Sequence, residues 1–383
     1  MTETKRKATK RRGNGEGSIF QRADGKWATT LTVGYNQHGK RIRKTLYGAT
    51  KREVQEKLSK LHGQRLDGTL VESGTTTLAQ FLDKWLEDSV RISVRPATFD
   101  NYGHMVTHIK AKLGGAALSK LTAIHIQGMY AELEREGKKP RLRQLIHAVL
   151  SRSLRTAVRW GLLARNLCDA VERPSVPKHE ITPLDEAQAQ QFLAAAADDR
   201  LYALYVLAIT TGLRQGELLG LQWPDINLGA GVLSVQRTLL ERNGVHSFGE
   251  PKTSRSKRLV SLPGFAIEAL WAHKAKMLAE GFAATELVFC GERRGGPLFK
   301  GNIIRRSFRP LLKSTGLPAI RFHDLRHTAA TLLLSQGVHP KVVQERLGHS
   351  SISVTMDIYS HVLPSMQREA ADRLDGLFRK TGT

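Results

Sequence analysis

Four stretches in the C-terminal half carry the side chains best suited to act on a charged substrate. In Thr210-Thr211-Gly212-Leu213-Arg214-Gln215-Gly216-Glu217, Arg214 sits just past a helix stop and opens another helix. A guanidinium there adds its donors to free backbone N–H groups and makes an anion cradle. Pairing with Glu217, three residues on, is the plainer alternative. In Glu250-Pro251-Lys252-Thr253, between two strand patterns, Lys252 stands on a hairpin and reaches either a ligand or only solvent. In Arg321-Phe322-His323-Asp324-Leu325-Arg326-His327, a helix turns His323 and Arg326 the same way. Leu325, Ala329, Leu332 and Leu333 form its buried stripe, so imidazole and guanidinium meet on one exposed face. His323 and His327 share the spacing of a zinc-hydrolase helix, but Asp324 is too short to replace that helix's glutamate base. No metal is expected. In Leu347-Gly348-His349-Ser350-Ser351, Gly348 ends the helix of Val342 and Val343, Ser350 or Ser351 caps the next, and His349 lies between them. Tyr359 follows ten residues later in Asp357-Ile358-Tyr359-Ser360-His361; a lone tyrosine near a chain end is ordinarily a core or rim residue.

The elements that must hold these residues form a multidomain chain. At 383 residues, two or three domains are expected. Residues 1–16 are polar and basic, a flexible arm. From Gly17 the pattern is short alternation: a strand around Trp27 to Val33 with Asp24-Gly25 as the turn before it, and another from Arg41 to Leu46. Thr50 caps a helix from Lys51 to about His62. This is a small three-stranded sheet plus helix over 17–63. Arg41, Arg43 and Lys44 on its sheet are candidate DNA contacts, with a charged, blunted edge strand as the alternative.

Residues 64–74 read as a linker, and an all-α unit follows over 75–172. Its helices open at Thr77 and run from about Pro96 to Lys112, Thr122 to Glu136 and Arg141 to Trp160. In the last, Leu142, Leu145, Ile146, Val149 and Leu150 stripe one face, and arginines cover the rest. Arg152, Arg155 and Arg159 either lie along a duplex or form the solvated face. After a break at 172–184 with three prolines, residues 183–383 are mainly helical, with helices over Leu184–Ala197 and Leu201–Thr211. Alternation at Val232–Leu239 and Lys257–Leu262 adds a small antiparallel sheet, so this domain is α+β.

Composition narrows the partner. No uninterrupted apolar run is long enough for a membrane span, and no apolar segment follows the basic N-terminus as in a secretory signal. Two distant cysteines, Cys168 and Cys290, support neither a disulfide framework nor a zinc module, which fits a reducing cytoplasm. Lys plus Arg is 59 and Asp plus Glu 35, a net charge of +24. That far exceeds the roughly 2–8 expected of a small domain, and it points to nucleic acid rather than to solubility alone.

Arg214 in TGLRQGE, Lys252 in PKTSRSKR, His323 and Arg326 in HDLRH, His349 in LGHSS and Tyr359 in DIYSHV fall in one order. Over roughly 183–380 that set resembles the tyrosine recombinases, the phage-type integrases. By pattern and position, 75–172 resembles the family's helical core-binding domain and 17–63 its three-stranded arm-binding domain. The departures are small: Gln215 and Gly216 after the arginine, and Ser353-Val354-Thr355 in place of a common serine-threonine run.

The chemistry suits the residues. Arg214 and Arg326 would hold the two non-bridging oxygens of a pentacoordinate phosphorus, and His349 would add a hydrogen bond. Tyr359 would attack and store the broken bond as a 3′-phosphotyrosyl link, needing neither metal, cofactor nor ATP. His323 would be the base and Lys252 the acid for the departing 5′ oxygen. The resemblance implies integration and excision of a mobile element, with four protomers on core and arm sites of double-stranded DNA. An excision factor and a host DNA-bending protein are the further partners it allows for, at the nucleoid. A tail of Met366, Ala370, Leu374, Leu377 and Phe378 at helical spacing would dock on a neighbour or on its own domain. The rivals are a type IB topoisomerase-like enzyme and a catalytically silent DNA-binding regulator.

Overall fold

The computed structural model describes residues 18–35, 40–66, 76–177, 182–250, 257–292, 295–349, 351–352, 356, 371–372, 374–376 and 378. The chain divides into two units, Met1–Lys178 and His179–Thr383.

The first unit begins with an antiparallel meander of β1 (Ile19–Gln21), β2 (Trp27–Tyr35) and β3 (Arg41–Gly48). Gly25, at φ +79°, makes the expected Asp24-Gly25 turn between the first two strands. Helix α1 (Lys51–Leu66) runs one turn beyond the sequence expectation, and Thr50 Oγ1 accepts the N–H of Glu53 at its start. Leu58 and Leu61 of α1 bury Leu31 of β2, and Ile19 and Leu46 close the sides of this small core.

A helical bundle follows. Thr77 caps α2 (Leu78–Trp85), its hydroxyl accepting from the N–H of Gln80 at 3.3 Å. The helix continues through a π-turn at Leu86–Val90 into α3 (Arg91–Ser93). Then come α4 (Pro96–Leu113), α5 (Ala123–Arg135) and α6 (Pro140–Arg159). Proline opens both α4 and α6, where its missing N–H costs no intrahelical bond. Leu78, Phe81, Leu82, Trp85, Ile109, Ile126, Leu150 and Leu154 form a single core.

The second unit is built around α8 (Tyr202–Thr211), apolar on nearly every side and therefore central. It follows α7 (Glu186–Ala195) and precedes the short α9 (Gln215–Leu219). The strands are β4 (Ile226–Asn227), β5 (Val232–Val235), β6 (Thr238–Arg242), β7 (Val245–Gly249) and β8 (Arg258–Ser261). After them run α10 (Gly264–Ala279), α11 (Lys300–Ile303), a π-turn at Ile304–Phe308 and α12 (Arg309–Ser314). Helices α13 (Asp324–Ser335) and α14 (Pro340–Leu347) follow, with α10 and α13 packed on α8.

Two expectations need correction here. Helix α7 is shorter than Leu184–Ala197: Leu184 lies before it, buried, with its N–H held by the Thr328 hydroxyl of α13. The alternation from Val232 to Leu239 is not one strand. It breaks after Val235, so β5 joins β4 and β8 in one sheet while β6 and β7 form a separate hairpin. Asn243 and Gly244, both at positive φ, turn that hairpin. No described helix is long and apolar enough to cross a membrane, and both cysteines are buried thiols.

Candidate active site

Two left-handed helix stops build the site. Helix α8 ends at Gly212, φ +63°, where a Cβ would lie 2.3 Å from the Leu347 side chain of α14. Only glycine lets α8 stop against that helix. The stop turns the Gly212 carbonyl toward α13, and Arg326 Nη1 donates to it at 2.7 Å. Helix α14 ends at Gly348, φ +69°, whose carbonyl accepts Arg214 Nη2 at 3.4 Å. Each glycine thus supplies both a close approach and an acceptor for one of the two arginines.

Arg214 is the residue before α9, in extended conformation, and Glu217 holds it twice. Glu217 Oε2 accepts the Arg214 N–H at 3.1 Å and Oε1 accepts Nη1 at 2.7 Å. The pairing that competes with a catalytic role in the sequence is therefore present, and it orients the guanidinium rather than hiding it: Arg214 stays 37% exposed while Glu217 is 3% exposed. The backbone cradle expected at this helix start is partly filled, since the carboxylate already takes that N–H. Burial alone would raise the Glu217 carboxyl, but Arg258 and Arg214 outweigh it and hold the group below its ordinary range.

His349 follows Gly348, and Gln344 fixes it at both backbone groups: the His349 N–H reaches the Gln344 carbonyl at 3.1 Å, and Gln344 Nε2 reaches the His349 carbonyl at 3.0 Å. Burial, then the positive charges of Arg326 and Arg214, bring the imidazole down to about 4. His349 is thus neutral at physiological pH inside a cationic field. The same two arginines act on His323, lowered first by burial.

The surroundings of Arg326 and His323 differ from the sequence picture. His323 precedes α13 instead of lying within it, and only His323 is exposed; Arg326 is 3% exposed and His327 is buried beside it. The first turns of α13 are buried nearly all round because α8 covers one side and α14 another, so no exposed imidazole–guanidinium face exists. The His323 and His327 rings pack edge to face, 5.2 Å between centroids. Leu332 and Leu333 are only half-buried, while Leu334 lies in the core with Ala330, Val343 and Leu347.

The structure therefore brings Arg214, Arg326, His349 and His323 into one electrostatic neighbourhood. Lys252 and Tyr359 lie outside the described residues, as do residues 1–16 and most of the tail expected to dock. Sequence reasoning missed Arg258, Arg346 and Gln344. Arg346 Nη2 donates to the Thr210 carbonyl at 2.8 Å, a bond between segments 136 residues apart that no local pattern announces.

The basic candidates divide by face. In β3, Arg41, Arg43, Thr45 and Tyr47 alternate outward and are exposed. Lys44 pairs with the buried Leu31 and sits on the α1 side, half-buried. On α6, Arg152, Arg155 and Arg159 share one exposed stripe opposite Leu150, Leu154 and Ala157. Arg152 is braced by Tyr102, whose hydroxyl accepts Nη1 at 2.8 Å, and Arg159 by the Thr156 hydroxyl at 3.0 Å.

A model of the phage integrase family matches residues 183–366, and one of the phage integrase N-terminal SAM-like domain matches 77–133. The chain is 34% identical to a "Tyrosine recombinase XerC-like" protein of Caldanaerobacter subterraneus subsp. tengcongensis, over 92% of this chain and 96% of that one. The Tn1549 transposon integrase in complex with a circular intermediate DNA is similar in fold, at TM-score 0.66 and 23% identity, covering 78% of this chain and 99% of that one. A lambda integrase tetramer bound to a Holliday junction is similar at TM-score 0.55 and 23% identity, covering 87% of this chain and 95% of that one.

Proposed function

The chain belongs to the phage integrase family and is a site-specific DNA recombinase; we propose that Tyr359 is its nucleophile and that Arg214, Arg326 and His349 hold the phosphate under attack. The observation that carries this reading is the convergence of those three residues on the paired glycine stops at Gly212 and Gly348. Two guanidiniums fixed from behind by carbonyls and Glu217 are preorganised donors, and such donors stabilise developing charge without rearranging during the reaction. The neutral His349 adds one N–H donor.

A phenol with a pKa of about 10 is only about 0.1% ionised at pH 7, so Tyr359 needs help. The cationic field favours its phenolate, and His323, neutral near pH 7, can accept the proton. Lys252 gives a proton to the departing 5′ oxygen. The phosphotyrosyl bond keeps the energy of the broken link, so rejoining needs no ATP.

The substrate is double-stranded DNA at core and arm attachment sites, and the enzyme integrates and excises a mobile element in the cytoplasm, at the nucleoid. Arg152, Arg155 and Arg159 meet core DNA, and Arg41 and Arg43 meet arm DNA. Lys44, on the other side of its sheet, is left to pack against α1. Residues 1–16 form a basic arm, 17–63 the arm-binding domain, 75–172 the core-binding domain and 183–383 the catalytic domain. Four copies assemble on DNA, as in the lambda integrase tetramer, with an excision factor and a host bending protein as helpers. A type IB topoisomerase or a silent regulator is disfavoured, because the matched relative is a recombinase over nearly the whole chain.

The test is a suicide substrate: a nicked duplex cut from the genomic DNA flanking the gene. Tyr359→Phe should bind it and form no covalent adduct. An adduct that persists in this variant removes Tyr359 from its role.

A further inference from the structure

One more arginine is buried beside the residues proposed to hold the phosphate. Arg258 opens β8, and its side chain is 7% exposed. Its Nη2 donates to Glu217 Oε2 at 3.1 Å and its Nε to the Arg346 carbonyl at 2.7 Å. The guanidinium also lies directly against Gly348: a Cβ there would meet Nη1 at 3.1 Å and Cζ at 3.3 Å. Glu217 is the same carboxylate that holds Arg214 at both its backbone and its side chain. Arg346 and Gly348 form the last turn of α14 and its stop, immediately before His349. A single planar group therefore links the carboxylate that holds Arg214 to the last turn of α14, just before His349.

We propose that Arg258 is a positioning residue that sets the separation of Arg214 and His349, acting through the Glu217 carboxylate and the Arg346 carbonyl without touching DNA. This rests on the reading that Arg214 and His349 hold the phosphate. Stability alone is a poor reason for such a group, because a buried ion pair often gains little over apolar residues of the same volume. Burial pulls the Arg258 guanidinium below its ordinary value, a sign that the charge is kept here against its solvation. What the fork supplies is geometry: two donors in one plane at fixed spacing, which a lysine ammonium does not reproduce. Misplacing a catalytic group by about 1 Å can cost about a hundredfold in rate.

The experiment compares wild type, Arg258→Lys, Arg258→Ala and Arg214→Ala on the nicked flanking duplexes. Single-turnover cleavage at saturating protein, DNA affinity and melting temperature are read for each. Arg258→Lys keeps the charge and so guards against a variant that simply unfolds. It should bind DNA as wild type does and cleave about a hundredfold more slowly. Methylguanidinium, filling the space left in Arg258→Ala, should restore part of the cleavage rate there and none in Arg214→Ala. The proposal is overturned if Arg258→Lys cleaves at the wild-type rate, or if its loss of cleavage is matched by an equal loss of affinity. If Arg214→Ala also cleaves normally, the reading of the phosphate-holding site has failed; if only Arg214→Ala is dead, the positioning role alone falls.

Discussion

Buried histidines give the fold a pH signature. His349 and His327 are each held at about 4, first by burial, and His323, His147 and His273 are lowered for the same first reason. In the unfolded chain each titrates near about 6.5. Between those values the unfolded state binds protons that the folded state refuses, so stability falls as the pH drops from about 6.5 toward 4 and is flat above it. Glu217 and Asp324 are lowered from already acidic values, so their contribution is lost only further down. Melting temperatures at constant ionic strength should therefore decline across that window, and His349→Gln should make the decline shallower. If Arg214 is a transition-state donor, Arg214→Lys should cost cleavage about 10²–10³-fold with little change in DNA affinity, as measured in single-turnover assays. At this scale the sequence singles out Arg214, His323, Arg326 and His349, and the structure places those four in one neighbourhood. Residues that react must be of particular types in particular order, and those types stand out. The groups that hold them were not legible, because Arg258 and Arg346 act through a backbone carbonyl and a shared carboxylate, between segments 88 residues apart in one case.

The elements were legible wherever one face of the chain meets a core and the other meets water. Helices α4, α5 and α6 follow their apolar stripes, and Thr77 and Thr50 cap where hydroxyls precede helical patterns. Helix α10 was not read because its exposed side also carries Trp271 and Leu278, which blurs the stripe. The β6–β7 hairpin is hidden in the sequence although Asn243-Gly244 is a strong turn pair, because the alternation of β5 runs on to Leu239. That hairpin matters to the site. A Cβ on Gly216 would lie 2.6 Å from the Thr238 hydroxyl and 3.1 Å from the Leu239 carbonyl, and one on Gly220 3.0 Å from the Leu239 nitrogen. Helix α9, which carries Glu217, is thus seated on the backbone of β6 by two glycines four residues apart. Gly216→Ala should push α9 off the strand at a cost of about 1–3 kcal/mol, read as a lower denaturant midpoint. Cleavage should fall with it, while Gly244→Ala at the exposed turn should lose stability and leave the cleavage rate intact.

Over the whole molecule, charge decides what the fold can bind and how tightly. A net charge of +24 makes affinity for DNA strongly salt-dependent, because every phosphate neutralised releases counterions. The excess alone does not say which cations would touch DNA, but the sheet of the first unit separates its basic residues onto two faces. Arg41 and Arg43 stand on the exposed face with Thr45 and Tyr47, while Lys44 lies beside the α1 packing. If the exposed face meets arm DNA, Arg43→Ala should weaken binding to arm duplexes and reduce the slope of log K against log salt by about 1. Lys44→Ala, of equal charge change, should leave that slope where it was. Deletion of residues 1–63 should abolish the arm-dependent part of binding and impair integration, while covalent cleavage of core duplexes persists. Equal slopes for the Arg43 and Lys44 variants would mean that the domain contributes only its diffuse field. Unequal slopes would show that a one-residue alternation along β3 separates a DNA-reading face from a packing face, which composition alone cannot do.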